Sequence, residues 1–203
     1  MEVTVDPRRQ FFDELAPHWH HTAEEQQHTA EKVLEALRPR PGQRILDVGT
    51  GTGELAQWIL RRTGGGAEVW AMDLSGQMLR QARLRANGIP LRLCQADAHF
   101  LPFPACCFDG IAMLAVFAHL RDQRRALEEA CRVLRPGGRL VVAHPLGSGE
   151  LAHIHRRAGG PVARDLLPSA NTLQSWLLGC RFQVLDYVDR TGLFLVLAER
   201  RAD

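Results

Sequence analysis

The chain has 203 residues, 45% of them hydrophobic, and its 25 Lys and Arg residues nearly balance its 23 Asp and Glu residues. This length and composition indicate one globular domain with a full core. The net charge of +2 argues against the basic surface of a nucleic-acid-binding protein, so we expect no nucleic-acid partner. No run of 18 apolar residues occurs, so we also expect no membrane span.

Two further features of the composition bear on the compartment. The first ten residues contain no apolar run of the secretory type. The five cysteines are an odd number and contain no C-x-x-C pair, which favours reduced thiols over a disulfide framework. We therefore expect a cytoplasmic protein.

Helix-like and strand-like segments alternate along the chain after an N-terminal helix pair. That pair spans about residues 8–38 and ends at a Pro- and Gly-containing segment, residues 38–42. Short apolar runs predict strands at 44–49, 68–73, 91–97, 108–114 and 139–145. Helix-like stretches lie between them at 54–62, 75–88 and 122–134. The tail, residues 182–200, predicts two strands joined by the turn "DRTG".

This alternation predicts the fold class. Continuous apolar strands joined by helices are typical of a parallel sheet covered on both faces, and right-handed crossovers then favour a doubly wound α/β sheet. We expect the terminal hairpin to end this sheet with an antiparallel pair. Residues 1–42 are predicted to form a helical lid on a domain of residues 43–203, and residues 145–170 a substrate cap.

The segment "ILDVGTGTGELA", residues 45–56, predicts a nucleotide-type cofactor but fits two of them. Gly51-x-Gly53-x-x-Ala56 matches the dinucleotide fingerprint of dehydrogenases, whereas Asp47-x-Gly49-x-Gly51-x-Gly53 matches the loop that holds S-adenosylmethionine. Both loops use glycines to let the backbone approach the ligand at a helix N-terminus. The loop by itself therefore leaves both cofactors open.

A nicotinamide-dependent reductase is disfavoured by the rest of the sequence. The short-chain class of these enzymes uses a Tyr-x-x-x-Lys pair. Here Tyr187 is the only tyrosine, position 191 is Thr, and Lys32 is the only lysine. That active site cannot be assembled from this chain.

The order of motifs resembles class I S-adenosylmethionine-dependent methyltransferases. "ILDVGTGTG" is similar to their first motif, "VWAMDLSGQML" to the second, "CQADAHFLPFP" to the third and "FDGIAML" to the strand that follows. "LRPGGRLVVAHP" resembles the fifth strand of the small-molecule branch, called type 11 or ubiquinone/menaquinone-methyltransferase-like. The resemblance implies a Rossmann-like, mostly parallel seven-stranded sheet with S-adenosylmethionine as cofactor.

The resemblance also implies which residues bind the methionyl and ribose parts of that cofactor. Gly49, Gly51 and Gly53 would let the backbone pass close to the methionyl part, and Asp47 would orient the loop and meet the ammonium group. Asp73 would accept hydrogen bonds from both ribose hydroxyls. Capping of a turn or of a helix is the alternative role for each aspartate. Two neighbours complete this part of the predicted set, Thr50 and Leu74.

The adenine and lid positions follow in the same way. Asp97 would accept a hydrogen bond from the adenine amino group and the Ala98 amide would meet a ring nitrogen, while Met78 would pack on the adenine or fill the core. "FFDELAPHWH", residues 11–20, resembles the lid helix of type 11 enzymes, although His20 stands where Asp is usual. Trp19 would close over the sulfonium cation, or it belongs to an apolar packing stripe of this helix.

Histidines supply the candidate catalytic groups, because neutral imidazole can act as a base near pH 7 or bind a metal. His144 follows the fifth strand on the side where parallel sheets bind ligands, and it is our first choice of base, with His155 and His119 as helpers. A metal or a metal-containing substrate remained open for the wider set His18, His20, His21, His144, His153 and His155. No Cys/His spacing matches a familiar zinc module, so we assign no metal ligands.

The acceptor is predicted to be a small molecule. The fourth strand ends in "MLAVFAH", without the Asn/Asp-Pro-Pro-aromatic tetrad that recognises an amino group on adenine or glutamine, and one lysine cannot form a Lys-Asp-Lys-Glu RNA-methylating set. Two alternatives to an enzyme of this kind remain: a cofactor-binding regulatory protein without turnover and, with less support, a nicotinamide reductase.

Overall fold

The structure, a computed structural model, describes residues 6–19 and 23–202. Seven helices are present in these residues: α1 (Pro7–Leu15), α2 (Ala23–Leu37), α3 (Glu54–Arg62), α4 (Gly76–Ala86), α5 (Gln123–Val133), α6 (Ser148–Ala158) and α7 (Ala170–Gly179). The strands are β1 (Arg44–Val48), β2 (Glu68–Asp73), β3 (Arg92–Gln95), β4 (Phe108–Leu114), β5 (Leu134–His144), β6 (Phe182–Arg190) and β7 (Leu193–Arg200).

All seven strands form one sheet, in the order β3-β2-β1-β4-β5-β7-β6. The first five strands pair in parallel, and β7 pairs antiparallel with both β5 and β6. The predicted α/β fold with a terminal antiparallel hairpin is thus confirmed. The strand order reverses between β1 and β4, which is where doubly wound sheets form their ligand crevice.

Alternation along the strands divides the core between the two faces of the sheet. Leu46 and Val48 of β1 pack in the layer covered by α5 and α7, whereas Ile45 packs in the layer covered by α2 and α3. Successive side chains of a strand point to opposite faces, so one short apolar strand supplies both layers. Covering both faces leaves the carboxyl ends of the strands as the place where polar side chains can cluster.

Two elements differ from the sequence prediction. β5 begins at Leu134, five residues before the predicted start, because Leu134 pairs with Phe108 across a register shift before the regular ladder begins at Arg139. No helix was predicted at 170–179, where α7 lies. Its N-cap Ser169 accepts the Thr172 amide, and Leu173 and Leu177 are buried at helical spacing.

The predicted cap segment, residues 145–170, contains helix α6 and a 3₁₀ turn (Gly160–Val162). Near the start of the chain, α1 continues into a second 3₁₀ turn (Ala16–His18). Among the helices of the described residues, none has the length and apolarity needed to cross a bilayer.

Candidate cofactor and acceptor site

A crevice opens at the carboxyl ends of β1, β2, β3 and β4. The loop between β1 and α3 forms its floor, where Gly49, Gly51 and Gly53 have φ angles of +69°, +56° and +87°. A Cβ at Gly49 would overlap the side chain of Val116, whereas one at Gly51 would meet no atom within 4 Å. Gly51 lines the crevice, so its missing side chain leaves space there for a ligand.

Asp47 is the penultimate residue of β1, lines this crevice and is 1% exposed. The Thr50 hydroxyl donates to its Oδ2 at 2.6 Å. Burial, with smaller contributions from the charges of Asp73 and Glu54, raises the pKa of Asp47 to about 7. A cationic group that enters the crevice would favour the charged form of this carboxylate.

Asp73 ends β2 and bridges two segments of the crevice wall. Its Oδ2 accepts the Gly51 amide at 2.9 Å and its Oδ1 accepts the Ser75 amide at 2.8 Å. Burial raises the pKa of Asp73 to about 6, although these amide hydrogen bonds oppose the rise. Each oxygen retains acceptor capacity for a further donor, such as a ribose hydroxyl. Leu74 lines the crevice beside it.

Asp97 and Ala98 follow β3 and line the crevice from its other end. Asp97 Oδ1 accepts the His99 amide at 3.0 Å and also contacts His99 Nδ1, and Arg121 lies 3.5 Å from Oδ2. Burial raises the pKa of Asp97, but the His99 hydrogen bonds and the Arg121 charge outweigh it, so the pKa lies below its usual value. The Asp122 amide donates to His99 Nε2 at 3.0 Å, which makes His99 a fixed connector of two loops.

Met78 and Thr50 also line the crevice. Met78 is 2% exposed and lies in the first turn of α4, where its amide is capped by the Ser75 hydroxyl at 3.0 Å. The two alternatives for Met78, packing on the ligand and filling the core, are therefore compatible. Its side chain belongs to the buried core and at the same time forms part of the crevice wall.

Helix α1 and the segment after it cover the crevice, with Phe12 and Trp19 among its lining residues. The two rings pack edge to face with centroids 6.2 Å apart. Hydrogen bonds hold this segment at two points: Ser75 Oγ donates to Asp13 at 2.6 Å, and Arg85 Nη2 donates to the Trp19 carbonyl at 2.9 Å. Helix α1 thus lies over the loop of glycines, whereas α2, which belongs to the same predicted lid of residues 1–42, packs against the sheet.

His119 lies on a 3₁₀ turn (Phe117–His119) after β4 and lines the crevice next to the lid. Its Nδ1 is 2.9 Å from Asp165 Oδ2, and its ring packs on Phe12 with centroids 5.2 Å apart. Because a carboxylate accepts, Nδ1 of neutral His119 carries the proton and Nε2 carries the lone pair. His155 donates from Nδ1 to the Asp165 carbonyl at 2.6 Å, with its ring centroid 4.9 Å from that of His119.

His144 differs from His119 in both position and tautomer. It is buried at the end of β5 and is absent from the lining of the crevice. The Leu146 amide donates to its Nδ1 at 3.1 Å, so neutral His144 carries its proton on Nε2. This geometry favours His119 over our first choice, His144, as a base that faces the crevice.

The wider histidine set is dispersed. His18 and His153 are exposed, His155 is buried on the other side of α6 from His153, and His20 and His21 lie outside the described residues. Within the described part of the chain, no group of three or more His, Cys, Asp or Glu side chains is arranged to hold a metal ion. The two-residue spacing of His153 and His155 falls on a helix, where such residues diverge.

Several residues that link distant segments were not among the predicted site residues. Arg8 of α1 contacts Asp165, 157 positions away, and Arg85 of α4 contacts both Glu54 and the Trp19 carbonyl. His99, also absent from the predicted site, orders the Asp97 loop. Arginines are the most frequent charged residues of this chain, so no local pattern of the sequence distinguishes Arg8 and Arg85 from the arginines that face solvent.

Comparison with known proteins places this geometry in a family. A sequence profile described as a methyltransferase domain matches residues 46–142. The ubiquinone/menaquinone biosynthesis C-methyltransferase UbiE of Vibrio parahaemolyticus is 34% identical over 191 residues, covering 81% of this chain and 74% of that protein. The protein of the same name from Bordetella avium is 42% identical over 105 residues, which cover 51% of this chain but only 41% of the relative.

Solved structures agree with the fold. An S-adenosylmethionine-dependent methyltransferase from Aquifex aeolicus superposes with a TM-score of 0.71 at 24% identity, covering 96% of this chain and 98% of that one. A putative methyltransferase from Haloferax volcanii, solved in complex with the activator Trm112, gives a TM-score of 0.80 at 19% identity, covering 98% and 100%. The chain belongs to the class I S-adenosylmethionine-dependent methyltransferases, in the type 11 branch that includes the ubiquinone/menaquinone C-methyltransferases.

Proposed function

We propose that this chain is an enzyme that transfers a methyl group from S-adenosylmethionine to a small-molecule acceptor. The observation that carries the proposal is the pair Asp47 and Asp73, two carboxylates with raised pKa values that face one crevice beside the open position of Gly51. A ligand that carries both a cationic group and the two hydroxyls of a ribose would pair its cation with Asp47 and donate hydrogen bonds from its hydroxyls to Asp73. A nicotinamide reductase would need a catalytic pair that the sequence lacks.

The cofactor would extend along the strand ends. Asp47 would meet the ammonium of its methionyl part directly or through water, Asp73 the ribose hydroxyls, and the Asp97–Ala98 loop the adenine, with Met78 against it. When bound, S-adenosylmethionine supplies an electrophilic methyl group on a sulfonium whose leaving group departs neutral. The chain therefore needs no acid for the leaving group, and its residues bind, orient and exclude water.

We propose His119 as the general base, with Asp165 as the residue that orients it. Its Nδ1–H is held by that carboxylate, which leaves the Nε2 lone pair to accept a proton from the acceptor. The rings of Phe12 and Trp19 shield the same crevice from water. His155 donates a hydrogen bond to the Asp165 carbonyl and so helps to hold that residue in place. His144 remains a second candidate for the base, although it is buried at the end of β5 outside the crevice lining.

The acceptor is proposed to be a small aromatic molecule. Phe12, Trp19 and His119 give the crevice an aromatic wall on the side of the proposed base. The relatives described above are named for ubiquinone and menaquinone biosynthesis, which points to the same chemical class.

All five cysteines carry free thiols, which supports the cytoplasm as the compartment.

Calorimetry with S-adenosylhomocysteine and, separately, NADH tests the cofactor assignment. We expect S-adenosylhomocysteine to bind and NADH not to bind, and Asp73→Ala to lower the affinity at least tenfold. Asp186→Asn is the matched control, because Asp186 is exposed on β6 outside the crevice lining. Binding of NADH instead of S-adenosylhomocysteine would refute the assignment.

Turnover is tested with methyl-labelled S-adenosylmethionine and a panel of hydroquinones, phenols and thiols. We expect label transfer to a phenolic or hydroquinone member, and a loss of at least a hundredfold in kcat for His119→Asn with unchanged cofactor affinity. Tight cofactor binding without transfer to any member of the panel would favour a regulatory protein without turnover.

A further inference from the structure

One buried carboxylate joins the lid to the proposed base. Asp165 follows the 3₁₀ turn Gly160–Val162 and is 3% exposed. Arg8 of helix α1 reaches both of its oxygens, with Nη2 2.5 Å from Oδ1 and Nε 3.4 Å from Oδ2. The same Oδ2 is 2.9 Å from Nδ1 of His119. Arg8 and His119 therefore share one negative charge.

The charge of Asp165 is fully compensated while Arg8 stays on it. A proton added to His119 would then leave an excess positive charge beside a guanidinium in a mostly buried site, which opposes protonation. Without Arg8, the carboxylate would stabilise a protonated His119 as its sole ion-pair partner.

The other charged groups around His119 do not replace Arg8. Arg121, which lines the same crevice, is paired with Asp6 at 3.1 Å and lies 3.5 Å from Asp97, so carboxylates offset its charge. The His155 ring, 4.9 Å away on α6, donates to a backbone carbonyl rather than to the Asp165 carboxylate. A bound sulfonium would add one more positive charge and act in the same direction as Arg8.

We propose that Arg8 is a positioning residue whose contact with Asp165 favours the neutral form of His119, the form that can act as a base. This inference rests on the proposed function for the role of His119, but the proton equilibrium does not depend on turnover.

Nitrogen NMR of histidine-labelled protein, saturated with S-adenosylhomocysteine and titrated with acid and base, tests the proposal directly. Loss of one ring signal in His119→Gln identifies the residue. We expect Arg8→Gln to move the midpoint of the His119 titration to higher pH by about one unit. Arg8→Lys, which retains the charge, should restore most of the wild-type midpoint. Arg9→Gln is the matched control, because it removes the same charge from the next, more exposed position of α1.

An unmoved or lowered midpoint in Arg8→Gln would overturn the proposal. Should Arg8→Gln fail to fold, Asp165→Asn provides the second test, with a midpoint expected below that of wild type because the anion is removed. Absence of S-adenosylhomocysteine binding to wild type would contradict the proposed function instead. The midpoints would then be compared in ligand-free protein, where the same direction is expected.

Discussion

Lowering the pH from 8 to 6 should weaken cofactor binding by an amount that the two crevice carboxylates determine. Asp47, with a pKa of about 7, would fall from about nine-tenths to about one-tenth ionised, and Asp73, with a pKa of about 6, from nearly full to about half ionised. If the ionised forms bind the ligand, the affinity for S-adenosylhomocysteine falls about twentyfold. Carboxylates with ordinary pKa values would stay ionised at both pH values and predict no change.

Calorimetry at pH 6 and pH 8, in buffers of different ionisation enthalpy, measures both the affinity and the protons released on binding. We expect proton release near pH 7, because a bound cation lowers the raised pKa of Asp47. In Asp47→Asn the ratio of the affinity at pH 8 to the affinity at pH 6 should shrink to about twofold. Any effect of ligand ionisation is the same for wild type and variant, so it cancels when their two ratios are compared. A wild-type affinity at pH 6 within twofold of that at pH 8 would refute the reasoning.

The raised pKa of Asp47 also lowers the stability of the folded protein at neutral pH. The folded state binds the Asp47 proton more tightly than the unfolded state, so this group lowers the free energy of unfolding as pH rises from about 4 to about 7. The difference between about 7 and the ordinary 3.8 corresponds to at most about 4 kcal/mol. Asp47→Asn should therefore unfold at higher urea concentration than wild type at pH 8, while losing cofactor affinity.

Three shorter predictions concern other parts of the chain. Gly49→Ala should lower the free energy of unfolding by about 3 kcal/mol, since its Cβ would overlap the side chain of Val116 and Gly49 has a positive φ. Gly51→Ala should lower the free energy of unfolding by only about 1–2 kcal/mol but reduce the affinity for S-adenosylhomocysteine at least tenfold. Equal losses of stability in urea unfolding of the two variants would contradict this difference. A side-chain hydrogen bond from Arg132 lowers the pKa of buried Glu129, so its stabilising contribution should be fully present above pH 4.5 and be lost as the pH falls through the lowered pKa. In urea unfolding, Glu129→Gln should lower the free energy of unfolding at pH 7 by about 2 kcal/mol and by progressively less as the pH falls below 4.5. The exposed Cys106 should be the first thiol to react with Ellman's reagent in native protein, followed by the half-buried Cys94, with five thiols reacting after unfolding. Fast reaction of Cys107, Cys131 or Cys180 in the native protein would contradict their burial.

Local patterns predicted the parts of the site that lie on one strand and the turn after it. Asp47 lies near the end of a buried strand and Gly49 follows it directly, so their positions at the crevice require no distant partner. The same holds for Asp73, which ends the next strand. Helix α7 was not predicted although Leu173 and Leu177 carry a helical signal, because it lies between the predicted cap (residues 145–170) and the predicted tail (residues 182–200).

The choice among the histidines could not be made from local pattern. His119 and His144 both follow parallel strands, yet only contacts with Asp165 and with the Leu146 amide distinguish their tautomers. The ranking that placed His144 first stays a prediction, and the geometry favours His119. A ring nitrogen's role depends on its hydrogen-bond partner, and in His119 that partner comes from another element.

The sequence by itself determined the strands, the helices between them and the glycine loop, since hydrophobic period, glycine turns and strand ends act over a few residues. The tertiary structure alone decided that Arg8 and His119 meet on Asp165, because 157 positions separate the arginine from that carboxylate. Charges interact through space, and their spacing along the chain carries no record of which of them fold together.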